Sequence, residues 1–243
     1  MAHRFFVKPP VDSERVLLAG PEFHHLRNVL RLKPGDEVTL FDGTGREHAA
    51  RVVQLGRSDV ELNILRTESV DRELPRQAVV GVTLPKGDRQ RWLVEKLVEL
   101  GATRLVPLRT ARSIVHPSAS ALARLRRTVI EASKQCGRNR LLEIDGTTSF
   151  QEFLASSPDS AYRWIADRAG AHRPAAAHAR ESGDTYVLIG PEGGLTDLER
   201  QAAAASGWRS IALGDRILRI ETAAVVMMTL AGFGLLTASG NAP

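Results

Sequence analysis

At 243 residues, 43% hydrophobic and 25% charged, the chain has the composition of a folded globular protein, long enough for one large domain or two modest ones, and not that of a disordered segment. Its 33 Lys and Arg against 28 Asp and Glu leave a formal net charge of +5, a basic excess that favours a polyanionic partner such as nucleic acid. A single cysteine, Cys136, excludes an internal disulfide and a Cys-rich metal cluster and fits a reducing compartment. The opening MAHRFFVKPP lacks the apolar centre of a signal peptide. The longest apolar run, from Ala223 to Leu236, is shorter than the roughly 20 residues a bilayer crossing needs. A cytoplasmic location is expected.

From Arg4 to about Arg66 the chain reads as short strands separated by turns. Arg4–Val7, Arg15–Ala19, Glu37–Phe41, His48–Leu55 and Asp59–Leu65 are rich in Val, Leu and Ile, and KPGD and DGTGR between them are turn sequences. PEFHHLRNVLRL differs: Phe23, Leu26, Val29 and Leu30 fall near helical spacing. This predicts a small β-barrel-like unit with one inserted helix, over residues 1–70. The charged stretch Thr67–Arg76 reads as a linker.

The rhythm then changes to alternating strands and helices over 77–243. Strands are expected at Gln77–Leu84, Arg104–Leu108, Leu141–Ile144, Tyr162–Ala166, Tyr186–Ile189 and Ser210–Leu213. Helices are expected at Asp88–Leu100, Ser120–Gln135, near Phe150, at Asp197–Ala205 and from Thr222 onward. Such alternation predicts an α/β domain with a mostly parallel sheet covered on both faces. Residues 170–183 read as an exposed Ala- and Arg-rich loop, and no internal repeat is found.

Four stretches carry candidate chemistry. IGPEGGL, Ile189–Leu195, follows a strand and precedes a helix, so its glycines at 190, 193 and 194 suit close backbone approach to a ligand. It is neither a P-loop nor a dinucleotide fingerprint, and a plain tight turn would also explain it. LGDRILRIETA, Leu213–Ala223, places Arg219 and Glu221 among apolar residues, where charge needs partners or a function; a helix start at Glu221 or Thr222 is the alternative. If both loops leave the same edge of a parallel sheet, they converge outside the carboxyl ends of its strands, where such sheets bind ligands. EASKQCGRNR ends a helix whose apolar face is Leu122, Leu125, Val129, Ala132 and Cys136, leaving Arg124, Arg127, Lys134, Arg138 and Arg140 for phosphates or for solvent. In LPKGDRQRWLVEKLVELG, the cations Lys86, Arg89 and Arg91 cluster at a helix N-terminus, against its dipole, which hints at an anion nearby. Glu95 and Glu99 read as surface partners of Arg91 and Lys96. Cys136 falls on an apolar face and reads as structural, and His24, His25 and His48 make no metal pattern.

In order, RFFV, HHLRNVLRLKPGDEVTLFDG, LPKGDRQRWLVEKLVELG, ARSIV, EASKQCGRNR, LIGPEGGLTDLE and LGDRILRIETA resemble the RsmE-type 16S ribosomal RNA methyltransferases, which methylate uridine at N3. The resemblance implies an N-terminal PUA-like RNA-binding barrel and a C-terminal SPOUT α/β domain with a trefoil knot that binds S-adenosylmethionine. It also implies a homodimer acting on 16S ribosomal RNA of the small subunit, with neither metal nor membrane involved. Carried over, Leu188, Gly190, Glu192, Gly193 and Gly194 match the first cofactor loop. Leu213, Gly214, Ile217, Leu218, Arg219, Thr222 and Ala223 match the second. Arg219, Glu221 and Glu192 are the catalytic candidates, the arginine for the charge developing on the base and a carboxylate for its proton. Arg4, Arg27, Arg31, Lys86, Arg89, Arg138 and Arg140 are expected to face RNA. The chain departs from the family at Asp215, where proline is common, at Ile220, where threonine is common, and at Lys134, where an acid is usual. Two other functions fit the same residues: a knotted methyltransferase acting on a ribose 2′-hydroxyl or on transfer RNA, or a non-catalytic RNA-binding assembly factor.

Overall fold

The computed structural model describes residues 3–8, 11–170 and 183–236. The loop read at 170–183 therefore lies, apart from its two end glycines, outside the described residues. The chain divides into two compact units, one running to Glu73 and including Ile130–Leu141, the other formed by Leu74–Val129 and the chain from Leu142 onward.

The first unit holds β1 (Arg4–Phe6), β2 (Arg15–Ala19), α1 (Gly20–His24), β3 (Glu37–Phe41), β4 (Arg46–Leu55) and β5 (Asp59–Ser69). Its five-stranded sheet has the order β1-β3-β4-β5-β2. β1 runs parallel to β3, and the other neighbours are antiparallel. Two register shifts between β4 and β5 bend the sheet around a core that includes Phe5, Leu26, Leu40, Val52 and Leu62. The turns follow their residue chemistry: in KPGD the Lys33 N–H donates to Asp36 Oδ2 at 2.7 Å, and in DGTGR the Thr44 N–H and hydroxyl both donate to Asp42 Oδ1.

Two details depart from the periodicity. The helix in PEFHHLRNVLRL passes after α1 into a π turn over His25–Val29, with Leu30 N–H bonded to His25 O. The extra residue shifts the helical phase, so Leu26 is buried while Val29 is 59% exposed. Strand β5 also runs on to Ser69, because Thr67 still pairs with His48, and takes the start of the stretch that reads as linker.

The second unit contains β6 (Ala78–Val82), α2 (Arg89–Glu99), β7 (Arg104–Arg109), β8 (Glu143–Ile144), β9 (Thr148–Ser149), α4 (Phe150–Ser156), β10 (Tyr162–Ala166), β11 (Thr185–Ile189), α5 (Asp197–Ala205), β12 (Arg209–Ile211) and α6 (Ile220–Gly232). Between β7 and β8 runs α3 (Ala119–Cys136), whose end belongs to the first unit. The main sheet has the order β12-β10-β11-β6-β7-β8, with β9 paired to β7, and every pairing is parallel. Central strands β6 and β11 are buried at every position, as a sheet covered on both faces requires. Capping boxes start α4 (Ser149 with Glu152) and α5 (Thr196 with Glu199). Gly81 in β6 leaves room for the Phe153 ring, which a Cβ at that position would strike.

The connections set a switch point in this sheet, next to the strand whose following loop lines the main cavity. From β6 the chain moves one way, to β7 and β8. It then fills the other side with β10, β11 and β12, so the winding reverses between neighbours β6 and β11. Loops leaving the carboxyl ends of adjacent strands at such a reversal part from each other and open a crevice.

Candidate active site

A cavity of about 330 Å³ lies at the carboxyl ends of β10, β11 and β12. The loop after β11 gives it Gly190, Glu192, Gly193 and Gly194, and the loop after β12 gives Leu213, Gly214, Ile217 and Leu218. Ala223 closes it from the first turn of α6. The two glycine-bearing loops of the sequence thus meet in one pocket. The structure adds Asp167, Arg168 and Arg200, which sequence reasoning missed. The signal was present: Asp167 and Arg168 directly follow a parallel strand lying between the two that carry the loops.

The loop after β11 is held in shape from several directions. The Gly194 N–H donates to Pro191 O at 2.8 Å across a tight turn, with Gly194 at φ +69°, a conformation that favours glycine. A Cβ on Gly190 would sit 3.1 Å from the Leu195 side chain. Beyond the turn, buried Glu199 accepts from the Thr196 N–H and, at 2.8 Å, from the Ala111 N–H. Arg112 Nη1 donates to Gly193 O, also at 2.8 Å. In the second loop Ile217 is 77% exposed although it lines the cavity, an exposed apolar side chain at the mouth of a pocket.

Beside the cavity the ends of three elements bring together Arg89, Glu192 and Glu221. Arg89 Nη1 donates to Glu192 Oε1 at 2.9 Å and lies 3.6 Å from Glu221 Oε2. Pairing with Glu192 raises the Arg89 guanidinium above its usual range, so it stays charged. Glu221 is 7% exposed and its Oε2 accepts no hydrogen bond. The anion hinted at by the cations of LPKGDR is, in this arrangement, supplied partly by these two carboxylates. Arg219 and Thr222 are exposed at the start of α6 and line neither this cavity nor the smaller one beside it. Leu188 is fully buried within β11, paired with Ile165 and Gly81, and its side chain belongs to the core.

The cations assigned to RNA divide in two. In the first unit Arg4 binds Glu47 and the Asn139 side chain, and Arg138 lies buried against both oxygens of Glu73. Arg27, Arg31 and Arg140 are exposed. Lys86 is exposed in the second unit. Lys134, read from the sequence as a departure, pairs with Glu22 at 3.0 Å. Burial raises the Glu22 carboxyl even so, with Lys134 pulling the other way. Arg91 pairs with Glu95 and Lys96 with Glu99, as their spacing implies, and Cys136 is half-buried.

Two family models match the chain. One, described as an RNA methyltransferase domain, covers residues 72–232. The other, described as an RNA methyltransferase PUA domain, covers residues 18–65. The chain belongs to this RNA methyltransferase family. The ribosomal RNA small subunit methyltransferase E of Synechocystis is 33% identical over 233 residues, which is 94% of this chain and 76% of the relative. Among solved structures, the Neisseria gonorrhoeae ribosomal RNA small subunit methyltransferase E bound to S-adenosyl methionine is 34% identical, with a TM-score of 0.86 over 94% of this methyltransferase and 95% of that chain. A methyltransferase from Legionella pneumophila, solved in complex with the same cofactor, is 26% identical with a TM-score of 0.87, covering 95% and 96% of the two chains. The three-loop cavity of this methyltransferase lies wholly within residues 72–232.

Proposed function

We propose that this methyltransferase transfers the methyl group of S-adenosylmethionine to N3 of a uridine in 16S ribosomal RNA of the small subunit. The proposal includes a homodimer, a cytoplasmic setting and a knotted SPOUT path for the second unit. One observation carries it: three neighbouring parallel strands end in a single pocket of about 330 Å³, beside which an arginine holds two carboxylates. That volume is within the range of small-molecule sites. Its apolar side, Leu213, Ile217 and Leu218, suits an adenine, and the backbone of Gly190, Gly193, Gly194 and Gly214 is open to the polar parts of the cofactor. When bound, the cofactor supplies an electrophilic methyl carbon, whose bond to sulfur breaks with its electron pair staying on sulfur as N3 forms its own bond.

The chain's own residues have three tasks. They hold the two reactants in line, which is the main source of rate in such a displacement. They take the proton that uridine N3 carries, and they stabilise the negative charge left on the base. Glu192 is the carboxylate best placed for the proton, because it lines both the large cavity and the small one beside it. Arg89 keeps Glu192 in place and offsets the charge of buried Glu221. N3 lies on the pairing edge of the base, so the target uridine must be unpaired or flipped out. The exposed cations Arg27, Arg31 and Arg140 of the PUA-containing unit suit the surrounding phosphates.

Methylation of small-subunit RNA, naked and assembled, with labelled cofactor, followed by nucleoside mass spectrometry, tests the proposal. N3-methyluridine is expected. Methyl on a ribose, or on transfer RNA only, would replace the N3 reading, and absence of cofactor binding by calorimetry would leave an RNA-binding factor.

A further inference from the structure

Arg112 stands in the ARSIV segment after β7 and has no task in the mechanism above. Its Nη1 donates to Gly193 O at 2.8 Å, and its Cδ lies 3.6 Å from where a Cβ on Gly193 would be, so the stem is anchored on the cofactor loop. The side chain is otherwise exposed and makes no ion pair among the described residues. With Thr83, Lys86 and Glu192 it lines a second cavity of about 30 Å³. This cavity shares Pro191, Glu192, Gly193 and Ile220 with the large one, so the two lie on either side of the same short wall. Thr83 is 2% exposed, and its hydroxyl has no hydrogen-bond partner, a state native proteins rarely leave without a use.

A space of about 30 Å³ is the share of one water molecule. It is large enough for an exocyclic oxygen. Loss of the N3 proton leaves a uracil whose negative charge is spread over N3 and the two flanking carbonyl oxygens. A guanidinium presents several donors in a fixed plane and suits such a charge better than a point cation. Arg219, the cation the sequence points to for this task, is exposed outside both cavities.

We propose that Arg112 binds a carbonyl oxygen of the acceptor uracil and stabilises its N3-deprotonated form, with the small cavity seating that oxygen beside the Thr83 hydroxyl. The proposal rests on the N3 reading above and specifies the acceptor side of that site. Arg112 is then a catalytic residue, and its bond to Gly193 O fixes the base edge relative to the cofactor loop.

Cofactor affinity measured by calorimetry, together with methylation rate as a function of pH on small-subunit RNA, tests this in the full chain. Arg112→Ala is expected to lower kcat by about 10²–10³-fold, well beyond the smaller loss of S-adenosylmethionine affinity that follows from removing its bond to Gly193 O. The rising limb of the pH–rate profile should move to higher pH, because N3 then ionises without a cation beside it. Arg112→Lys keeps the stem and charge and should restore part of the rate and of the pH position. Thr83→Val should lower kcat/KM severalfold with cofactor affinity unchanged. If Arg112→Ala weakens cofactor binding in step with the rate and the pH profile of both Arg112 variants stays in place, Arg112 is only a brace for the Gly193 loop and the proposal is overturned. A parent enzyme that puts no methyl on uridine N3 refutes the function itself. A parent that does so, with Arg112→Ala equally active, refutes the role of Arg112 alone.

Discussion

In the first unit the buried and half-buried charges close on one another: Arg4 and Arg72 share Glu47, Arg138 grips Glu73, and Lys134 reaches Glu22. In the second, parallel strands send their carboxyl ends to one edge, where Glu221 keeps an oxygen without a hydrogen bond and Lys86 and Arg112 have no ion pair among the described residues. In the first unit these pairs are long-range, joining the strands, α1 and the segment after β5 to one another or to the end of α3. Uniform direction concentrates loop ends in the second and leaves polar groups there to a ligand. Charge alone therefore does not mark a binding residue; what matters is whether the fold has already used it.

Breaking the closed pairs should cost stability and little else. Glu73→Ala leaves a buried guanidinium, its side chain 5% exposed, without its carboxylate. A loss of about 3–5 kcal/mol is expected by denaturant unfolding, with S-adenosylmethionine affinity unchanged below the transition. A loss under about 1 kcal/mol would mean that Arg138 is solvated in spite of its geometry. Gly190→Val should do the reverse. Its Cβ would fall 3.1 Å from the buried Leu195 side chain, and Gly190 itself lines the pocket, so cofactor affinity should fall about 100-fold, roughly 2.7 kcal/mol, with a smaller loss of stability than Glu73→Ala gives. Equal losses of affinity and stability would show that the loop is part of the core. Smaller still, Arg140→Ala removes an exposed cation two residues from buried Arg138. It should weaken RNA binding less than tenfold, reduce the salt slope by about 1 and leave stability alone; an unchanged slope would remove Arg140 from the RNA surface.

How much of this was legible in the sequence depends on the range of the force involved. Strands, helices and turns follow from local pattern, and KPGD, DGTGR and the cap Thr196–Glu199 formed as residue chemistry dictates. The π turn at His25–Val29 was not legible, because its phase shift is settled by what Leu26 can bury, not by spacing. The grouping of Ile130–Leu141 with the first unit was hidden for the same reason: Arg138 meets Glu73 across 65 residues of chain. That GPEGG and LGDRILRIETA meet in one pocket follows from the sequence reading, yet which side chains face the pocket depends on strand order. That order brought in Asp167 from β10 and left Arg219 on the surface. Two departures from the family pattern acquire local reasons: Lys134 has its partner in Glu22, and Ile220 is buried at the start of α6.

The smallest expected effect tests whether the first unit is closed all the way down. His48 is fully buried in β4, with Nδ1 at 2.9 Å from Thr67 Oγ1 and Nε2 at 3.9 Å from Asp42 Oδ2. Burial lowers its pKa, nearby Arg46 adds to the effect, and Asp42 opposes both. Because the unfolded imidazole titrates near 6.5 and the folded one lower, the unfolded chain binds more protons between the two values. Stability is then complete above about pH 6.5 and is lost as pH falls toward the folded value. Asp42 adds to the loss only at lower pH. Burial alone would raise its pKa, but the Thr44 hydroxyl, the Thr44 N–H and the Val11 N–H together hold the carboxylate below its usual range. Between pH 7.5 and 5.5 the histidine, not Asp42, therefore drives the loss, while Glu22, whose carboxyl burial raises, gains stability as pH falls and works against it. The thermal midpoint should drop by no more than about 4 °C, and His48→Gln, which can still bond Thr67, should reduce that drop. An identical pH dependence in the variant would place the proton uptake elsewhere, and would mean that the Asp42 carboxylate, despite its distance, keeps the imidazole titrating as it does in water.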